Sequence, residues 1–231
     1  IGSFYGYVTD GIFQSMDEIK QSAQYDPSRN DADQMTKPGD FRFKDLNGDG
    51  RITADDRTFL GSPLPDFVFG VPVNVRWNGF ELSAFFQGQT GNKLFNVMDY
   101  YLYNYANGNN IEGYEKMVWA AAEDNLRPWF TPNPNAEIPR AQGGDSNRNY
   151  RASNFYVKNG NYCRLKELRL SYSFKEALIR KLGLSNLTLS FTAYNLCTWT
   201  NYNGLDPEIG RLEGTEGSNT AMGVDHGTYP Q

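Results

Sequence analysis

Long apolar runs are missing from this chain: stretches such as "FVFGVPV", Phe67 to Val73, fall far short of the ~20 residues a membrane-crossing helix needs. That excludes a transmembrane helix but not a transmembrane barrel, whose strands require only ~9–11 residues of alternating character. Cysteine is scarce, with Cys163 and Cys197 alone, too few for a disulfide framework. His226 is the only histidine, and no serine or cysteine is arranged with it as a triad. A glycosidase would need two specifically placed carboxylates; acids are plentiful, but nothing nominates a pair, and no enzyme is expected. An excess of positive charge is also lacking. The 22 basic residues face 27 acidic ones, a net charge of −5, so no nucleic-acid partner is expected. No leader precedes "IGSFYG", so the numbering is expected to begin inside a longer protein or after a removed signal.

What the chain does have is 15 Tyr, 15 Phe, 4 Trp and 23 Gly, a balance that favours β structure over helix. In "FVFGVPVNVRW" the odd positions, Phe67, Phe69, Val71, Val73, Val75 and Trp77, are all apolar, and the even ones are mixed and polar. Period 2 of this kind is a strand signature. Asn78-Gly79 then predicts a two-residue type I′ turn. The return strand, 80–88, sets Phe80, Leu82, Ala84 and Phe86 against Glu81, Ser83 and Gln87, with Phe85 breaking the pattern. A second pair is expected over 162–174 and 187–197, joined by a connection holding one helical turn. Leu168, Leu170, Tyr172 and Phe174 share one face of the first strand, and Leu187, Leu189, Phe191 and Ala193 one face of the second. The apolar face resets between Leu165 and Leu168, which suggests a bulge. With that bulge Cys163 and Cys197 could lie opposite each other, although free thiols are favoured over a cross-strand disulfide. The first 65 residues offer no convincing strand pair; Ser15 and Glu18 have capping-box spacing for a short helix near Met16.

Connection lengths alternate. The two strand pairs close through short turns, while the segments 89–161 and 199–231 are long, polar and rich in Asn, Gly and Tyr. A compact soluble domain rarely carries two structureless loops of that size, whereas outer-membrane barrels combine short periplasmic turns with long extracellular loops. The expected fold is all-β: a partial transmembrane antiparallel β-barrel with long extracellular loops that hold short helices. A soluble sandwich is the alternative. Residues 1–65 form an extracellular loop region, and 66–231 supply the barrel strands. Trp77 and Phe80, beside the first short turn, stand where an interfacial aromatic girdle belongs.

"DLNGDGRITADD", Asp45 to Asp56, has the spacing of a calcium loop. Calcium takes six to eight hard oxygens. Asp45, Asn47, Asp49, the backbone carbonyl of Arg51, Thr53 and Asp56 occupy the six ligand positions, Gly50 permits the sharp turn, and Ile52 points inward. Asp56 stands where helix-framed loops prefer a bidentate Glu, which is similar to dockerin-type extracellular loops. Affinity on the order of 10⁻⁴–10⁻³ M and a structural role are expected. The alternative is a metal-free turn rich in Asp, Asn and Gly.

Tyr100, Tyr101, Tyr103, Tyr105, Trp119 and Trp129 are suited to stacking on sugar rings, but packing of the loop on itself is the favoured reading. In that reading Ile111, Tyr114, Met117 and Val118 are the buried stripe of a short helix. The polar strand faces, with Asn74, Arg76, Glu81, Gln87, Arg169 and Thr192, would line a barrel lumen, either along a transport path or as a solvated wall.

Five segments, "PGDFRFKDLNGDGRITADDRTFLGSPLPDFVFG", "WNGFELSAFFQGQTGNKLFN", "FYVKNGNYCRLKELRLSYSF", "SNLTLSFTAYNLCTWTNYNGLDPE" and "GVDHGTYPQ", resemble the SusC/RagA family of TonB-linked outer-membrane transporters. They cover most of residues 38–231 in family order. The resemblance implies a 22-stranded barrel around an N-terminal plug, of which this is the C-terminal part, without the plug or the last strand. It also implies import of glycans, oligosaccharides or peptides, TonB-driven, with a SusD-like surface lipoprotein as partner and outer-membrane lipid around the wall. With short turns periplasmic, residues 1–65, 89–161 and 199–231 are extracellular. The rival is a secreted, soluble β-rich calcium-binding carbohydrate-binding module. Such a module should bury Phe69, Val71, Val73, Leu189 and Phe191; a barrel exposes them to lipid.

Overall fold

The structure is a computed structural model that describes residues 2–104, 114–121, 133–141, 143–209 and 222–227. It is mostly β. In chain order the strands are β1 (Phe4–Gly6), β2 (Thr9–Ile12), β3 (Phe41–Phe43), β4 (Thr58–Gly61), β5 (Phe67–Trp77), β6 (Phe80–Thr90), β7 (Lys93–Asn96), β8 (Val157–Asn159), β9 (Tyr162–Ser173), β10 (Thr188–Thr200) and β11 (Val224–Asp225). The helices are short: α1 (Met16–Lys20), α2 (Val97–Leu102), α3 (Tyr114–Met117) and α4 (Glu176–Ile179). No described helix is long and apolar enough to cross a membrane. The chain forms two compact units, one of Ile1–Gly61, Phe95–Lys158 and Val224–His226, the other of Ser62–Leu94, Asn159–Gly223 and Gly227–Gln231.

The second unit is built on one antiparallel sheet in the order β10-β9-β6-β5. Its first hairpin is the predicted one: Asn78 and Gly79 adopt φ of 46° and 91°, as a type I′ turn demands. Gly79 is also close-packed, since a Cβ there would sit 2.8 Å from the Ser173 carbonyl oxygen. Gly79→Ala is therefore expected to destabilise the folded protein by about 1 kcal/mol or more, read from its unfolding midpoint in denaturant; an unchanged midpoint would contradict the turn geometry. Two strands run longer than the alternation indicates, β6 to Thr90 and β10 to Thr200.

The register sets both faces of the sheet. On one face the rows run Trp77-Phe80-Tyr172-Leu189, Val75-Leu82-Leu170-Phe191, Val73-Ala84-Leu168-Ala193, Val71-Phe86-Leu165-Cys197 and Phe69-Gly88-Cys163-Trp199. The expected bulge is present. Phe85 pairs with Glu167 but Phe86 with Leu165, and Tyr194 pairs with Glu167 but Cys197 with Leu165, so Lys166 of β9 and Asn195-Leu196 of β10 are supernumerary. A one-residue slip moves a whole side-chain set to the other face; here the bulge keeps Leu165 and Cys197 on the apolar one. Phe85, which breaks the sequence pattern, lies on the opposite face between Pro72 and Glu167. The bulge does not put the cysteines opposite each other: Cys163 faces Trp199, Cys197 faces Leu165, and both thiols are free.

The first unit corrects the expectation of no strand pairs before residue 65. β1 pairs with β4 and β2 with β3, both antiparallel. The strands are only three or four residues long, and each pair is interrupted by an irregularity, so no period could build up in the sequence. The α1 helix begins where predicted, with Ser15 Oγ accepting from the Glu18 N–H at 3.3 Å. The Glu18 carboxylate reaches one residue further back than a standard capping box, to the Gln14 N–H at 2.9 Å.

Small apolar clusters hold this unit: Ile12, Phe41, Phe43 and Trp119 in one, Val118, Ile138 and Ala141 in another. Between them runs a buried polar network. The fully buried Asp40 accepts from the Arg140 guanidinium at 2.9 and 3.2 Å and from Asn149 Nδ2 at 3.0 Å. Asn149 Oδ1 accepts in turn from the Phe41 N–H and from Asn147 Nδ2. Because each of these buried polar groups finds a partner, the network fixes loop positions that apolar packing alone would leave soft.

Candidate functional site

Residues 45–56 form a loop closed by its own carboxyl and amide oxygens. Asp45 accepts from the Gly48 and Gly50 N–H groups at 2.7 and 2.8 Å, Asn47 from Asp49 N–H at 2.9 Å, and Asp49 from Arg51 N–H at 2.8 Å. Gly50, at φ 79°, makes the sharp turn expected of it. Ile52 packs against the cluster of Ile12, Phe41, Phe43 and Trp119, so the loop is tied to its unit as predicted.

Thr53 and Asp56 have a capping role that ligand spacing alone does not reveal. They cap the single helical turn Ala54–Asp56: Thr53 Oγ1 accepts from Asp55 N–H at 3.2 Å, and Asp56 accepts from the Thr53 and Leu46 N–H groups at 2.6 and 2.9 Å. Asp56 is fully buried. Burial works against its charged form, but the N–H groups of Thr53, Leu46 and Asn47 and the neighbouring Asp45 side chain prevail and hold its carboxyl below the ordinary carboxylate range. It is thus ionised at neutral pH. No group of three or more His, Cys, Asp or Glu among the described residues is gathered as a metal site. The donor set is nonetheless all oxygen, with the carboxyls of Asp45 and Asp56 side by side, which is the chemistry of a hard cation.

The aromatic candidates are drawn into packing. Trp119 is 5% exposed, and its indole N–H donates to Gln14 Oε1 at 3.0 Å. A ring so enclosed offers no face to a ligand, so the packing reading holds for it. Tyr100 sits against Phe95, Tyr101 and Tyr156, and Tyr103 against Phe155. Tyr101 keeps an exposed face. Val118 is buried at the end of α3, as the helical stripe predicts, whereas Met117 is exposed. Tyr105, Ile111, Trp129 and the side chain of Tyr114 lie outside the described residues.

Asn74, Arg76, Glu81, Gln87, Arg169 and Thr192 are brought together on one face of the sheet by the register. Arg76 pairs with Glu81 at 2.8 Å. On that same face lies a group the sequence reading missed. Arg164, buried, donates to Asp206, to Glu208 at 2.7 Å and to Thr198 at 2.8 Å, and Lys166 joins Glu208 at 2.8 Å. The signal was present as two acids flanking a proline in "LDPE" and as alternation that puts Arg164 on the polar face. What sequence does not give is that residues 201–209 fold back over that face. Opposite it, Val71, Val73, Val75, Trp77, Phe80, Leu82, Leu170, Leu189, Phe191 and Trp199 are all exposed.

No family model matches the chain. It is 34% identical over all 231 residues to TonB-dependent receptor P3 of Formosa agariphila, of which it covers 21%. To TonB-dependent receptor SusC of Bacteroides thetaiotaomicron it is 23% identical over 201 residues, 86% of this chain and 17% of that receptor. Among solved structures, that of the RagAB peptide transporter superposes with a TM-score of 0.64 at 22% identity, over 99% of this chain and 21% of the other. The chain therefore spans about a fifth of the length of these relatives. Their names are those of receptors and a transporter. A match running the whole length of the chain, on a fold shared with a solved transporter, makes this chain similar throughout to a segment of TonB-dependent receptors, which are proteins of the outer membrane.

Proposed function

We propose that this chain is a C-terminal arc of the barrel wall, with its outer loops, in a TonB-dependent importer that works with a SusD-like surface lipoprotein. One observation carries this reading: the sheet is apolar on a face that no described residue of its unit covers. Val71, Val73, Leu189 and Phe191 are exposed and Phe69 is half-buried. A secreted carbohydrate-binding module would bury them in its own core; lipid is the medium in which such a face is stable. The opposite face, with its ion pairs, suits a water-filled lumen.

The cargo is a glycan, an oligosaccharide or a peptide. The relatives include a transporter described as carrying peptides, so both classes need testing. Deleting the full-length gene should abolish growth on one oligosaccharide or oligopeptide pool as sole nutrient. Restoration by the intact gene, but not in cells lacking TonB, is the expected result. Undiminished uptake of both pools, or restoration without TonB, would overturn the proposal.

We also propose that residues 45–56 hold one structural calcium ion on the extracellular side. Asp45, Asn47, Asp49, Thr53, Asp56 and the Arg51 carbonyl would be its ligands, and the ion would neutralise clustered carboxylates. Calorimetric titration of the full-length protein should give one site with Kd on the order of 10⁻⁴–10⁻³ M. Calcium at a hundredfold excess over Kd should stabilise the fold by about 2.7 kcal/mol. Asp45→Ala should remove both the heat and the stabilisation; absence of either in the unmutated protein would sink the calcium assignment.

A further inference from the structure

Between β9 and β10 the chain makes a compact helical connection with an unusual surface. Residues Glu176–Ile179 form α4, and Arg180–Leu182 continue as one tighter turn that ends at Gly183, φ 74°. Ile179 is buried. Leu178 of α4 and Leu182 of the tighter turn are turned out from the protein and are 60% and 72% exposed. Leu184 and Leu187 extend the apolar strip toward β10 and are exposed as well. The other side carries the Glu176–Arg180 pair, 2.7 Å apart. Lys175, Arg180 and Lys181 give the connection three cations against the one carboxylate of Glu176, in a chain that is net negative.

Its place in the fold is defined by the sheet. The Ser173 N–H donates to the Gly79 carbonyl at 2.8 Å, and Phe80 pairs with Tyr172, so this connection and the Asn78-Gly79 turn lie at the same end of the strands. The last row of the apolar face at that end is aromatic. Trp77 is highly exposed, the Phe80 and Tyr172 rings meet at 4.5 Å, and Tyr172 meets Phe174 at 4.9 Å. Aromatic rows mark the depth at which a membrane wall passes from acyl chains to headgroups. Just beyond this row the chain presents exposed leucines flanked by cations.

We propose that residues 175–187 form an interfacial foot. Leu178, Leu182 and Leu184 enter the headgroup–acyl boundary of the phospholipid leaflet at the short-turn end of the wall, while Lys175, Arg180 and Lys181 meet lipid phosphates. The occupant is a bilayer surface because exposed leucines follow directly on the aromatic row that ends the apolar face of the sheet, and because the charge beside them is complementary to phosphate. The foot rests on the reading of that face as lipid-exposed.

The test uses full-length receptor with Cys163→Ala and Cys197→Ala, labelled with a fluorophore at Leu182→Cys or, separately, at Phe191→Cys, in nanodiscs of phosphatidylethanolamine and phosphatidylglycerol. Nitroxide lipids carrying the quencher near the headgroup should quench the position-182 label more strongly than deep-chain nitroxides, with the order reversed at position 191. Replacing the anionic lipid by phosphatidylcholine should lower shallow quenching at 182 and leave 191 unchanged. If lipid quenchers reach 191 but 182 responds only to aqueous iodide, the foot is wrong and the lipid-facing wall stands. Shielding of 182 from both lipid and iodide would mean that a protein surface covers it, which also overturns the foot. If neither position meets lipid, the wall reading falls together with the foot.

Discussion

Replacing Phe191 by arginine is expected to destabilise the membrane-inserted, full-length protein by about 1–3 kcal/mol, between the cost of a cation at the bilayer midplane and at its interface, since Phe191 lies one row inside the aromatic row. Phe191 lies well inside β10, opposite Leu170, and is 68% exposed with only apolar neighbours in its row. Thr192→Arg is the matched control. One residue along, it turns to the polar face opposite Arg169, where a cation meets water, and a change of no more than about 0.5 kcal/mol is expected, as for ordinary surface substitutions. Reversible urea unfolding from lipid vesicles reads both. Equal costs for the two variants would mean that the faces do not differ in their medium, and the wall reading would be lost.

The second large effect concerns Arg164. Its side chain and that of Asp206 are almost completely buried, and the guanidinium divides its donors among Asp206, Glu208 and Thr198. Arg164→Met is expected to cost about 3–5 kcal/mol, because it leaves the Asp206 charge buried and uncompensated. Removing both charges, with Arg164→Met and Asp206→Leu together, should recover most of that loss, since a buried ion pair is often no more stabilising than apolar residues of similar volume. The double-mutant cycle in urea isolates the coupling. If the double variant is as unstable as the single one, Arg164 acts through its guanidinium over the Tyr162 ring, 5.6 Å from the centroid, and not through the acids.

How much could be read in advance follows the spacing of the interactions. The hairpin of β5 and β6 was legible because eleven residues of period 2 end on Asn-Gly, a turn whose backbone few other dipeptides adopt. The bulge was legible because the apolar phase slips between Leu165 and Leu168. The calcium-type loop was legible as a spacing of oxygens, but the capping duties of Thr53 and Asp56 were not, since a cap and a ligand draw on the same residue types. The small strand pairs of the first unit were illegible for a different reason. Three residues carry no period, and Tyr5 finds Phe59 only after more than fifty intervening residues have folded. Arg164 with Asp206 and Asp40 with Arg140 belong to the same class, polar pairs joined across distant segments, where sequence names the charges but not their partners.

The bulge at Lys166 has a consequence for how such a wall can change in length. Each strand of the sheet is a two-phase track, and one residue gained or lost within it inverts everything beyond, setting apolar side chains on the polar face and Arg164 on the apolar one. At this joint β9 carries one surplus residue, Lys166, which turns its phase, and β10 carries two, Asn195 and Leu196, which leave its phase unchanged, so both strands go on with their apolar residues on the same side. Odd-numbered insertions are therefore accommodated at this joint or in the loops, while elsewhere in the sheet only changes by two preserve which side is apolar and which is polar.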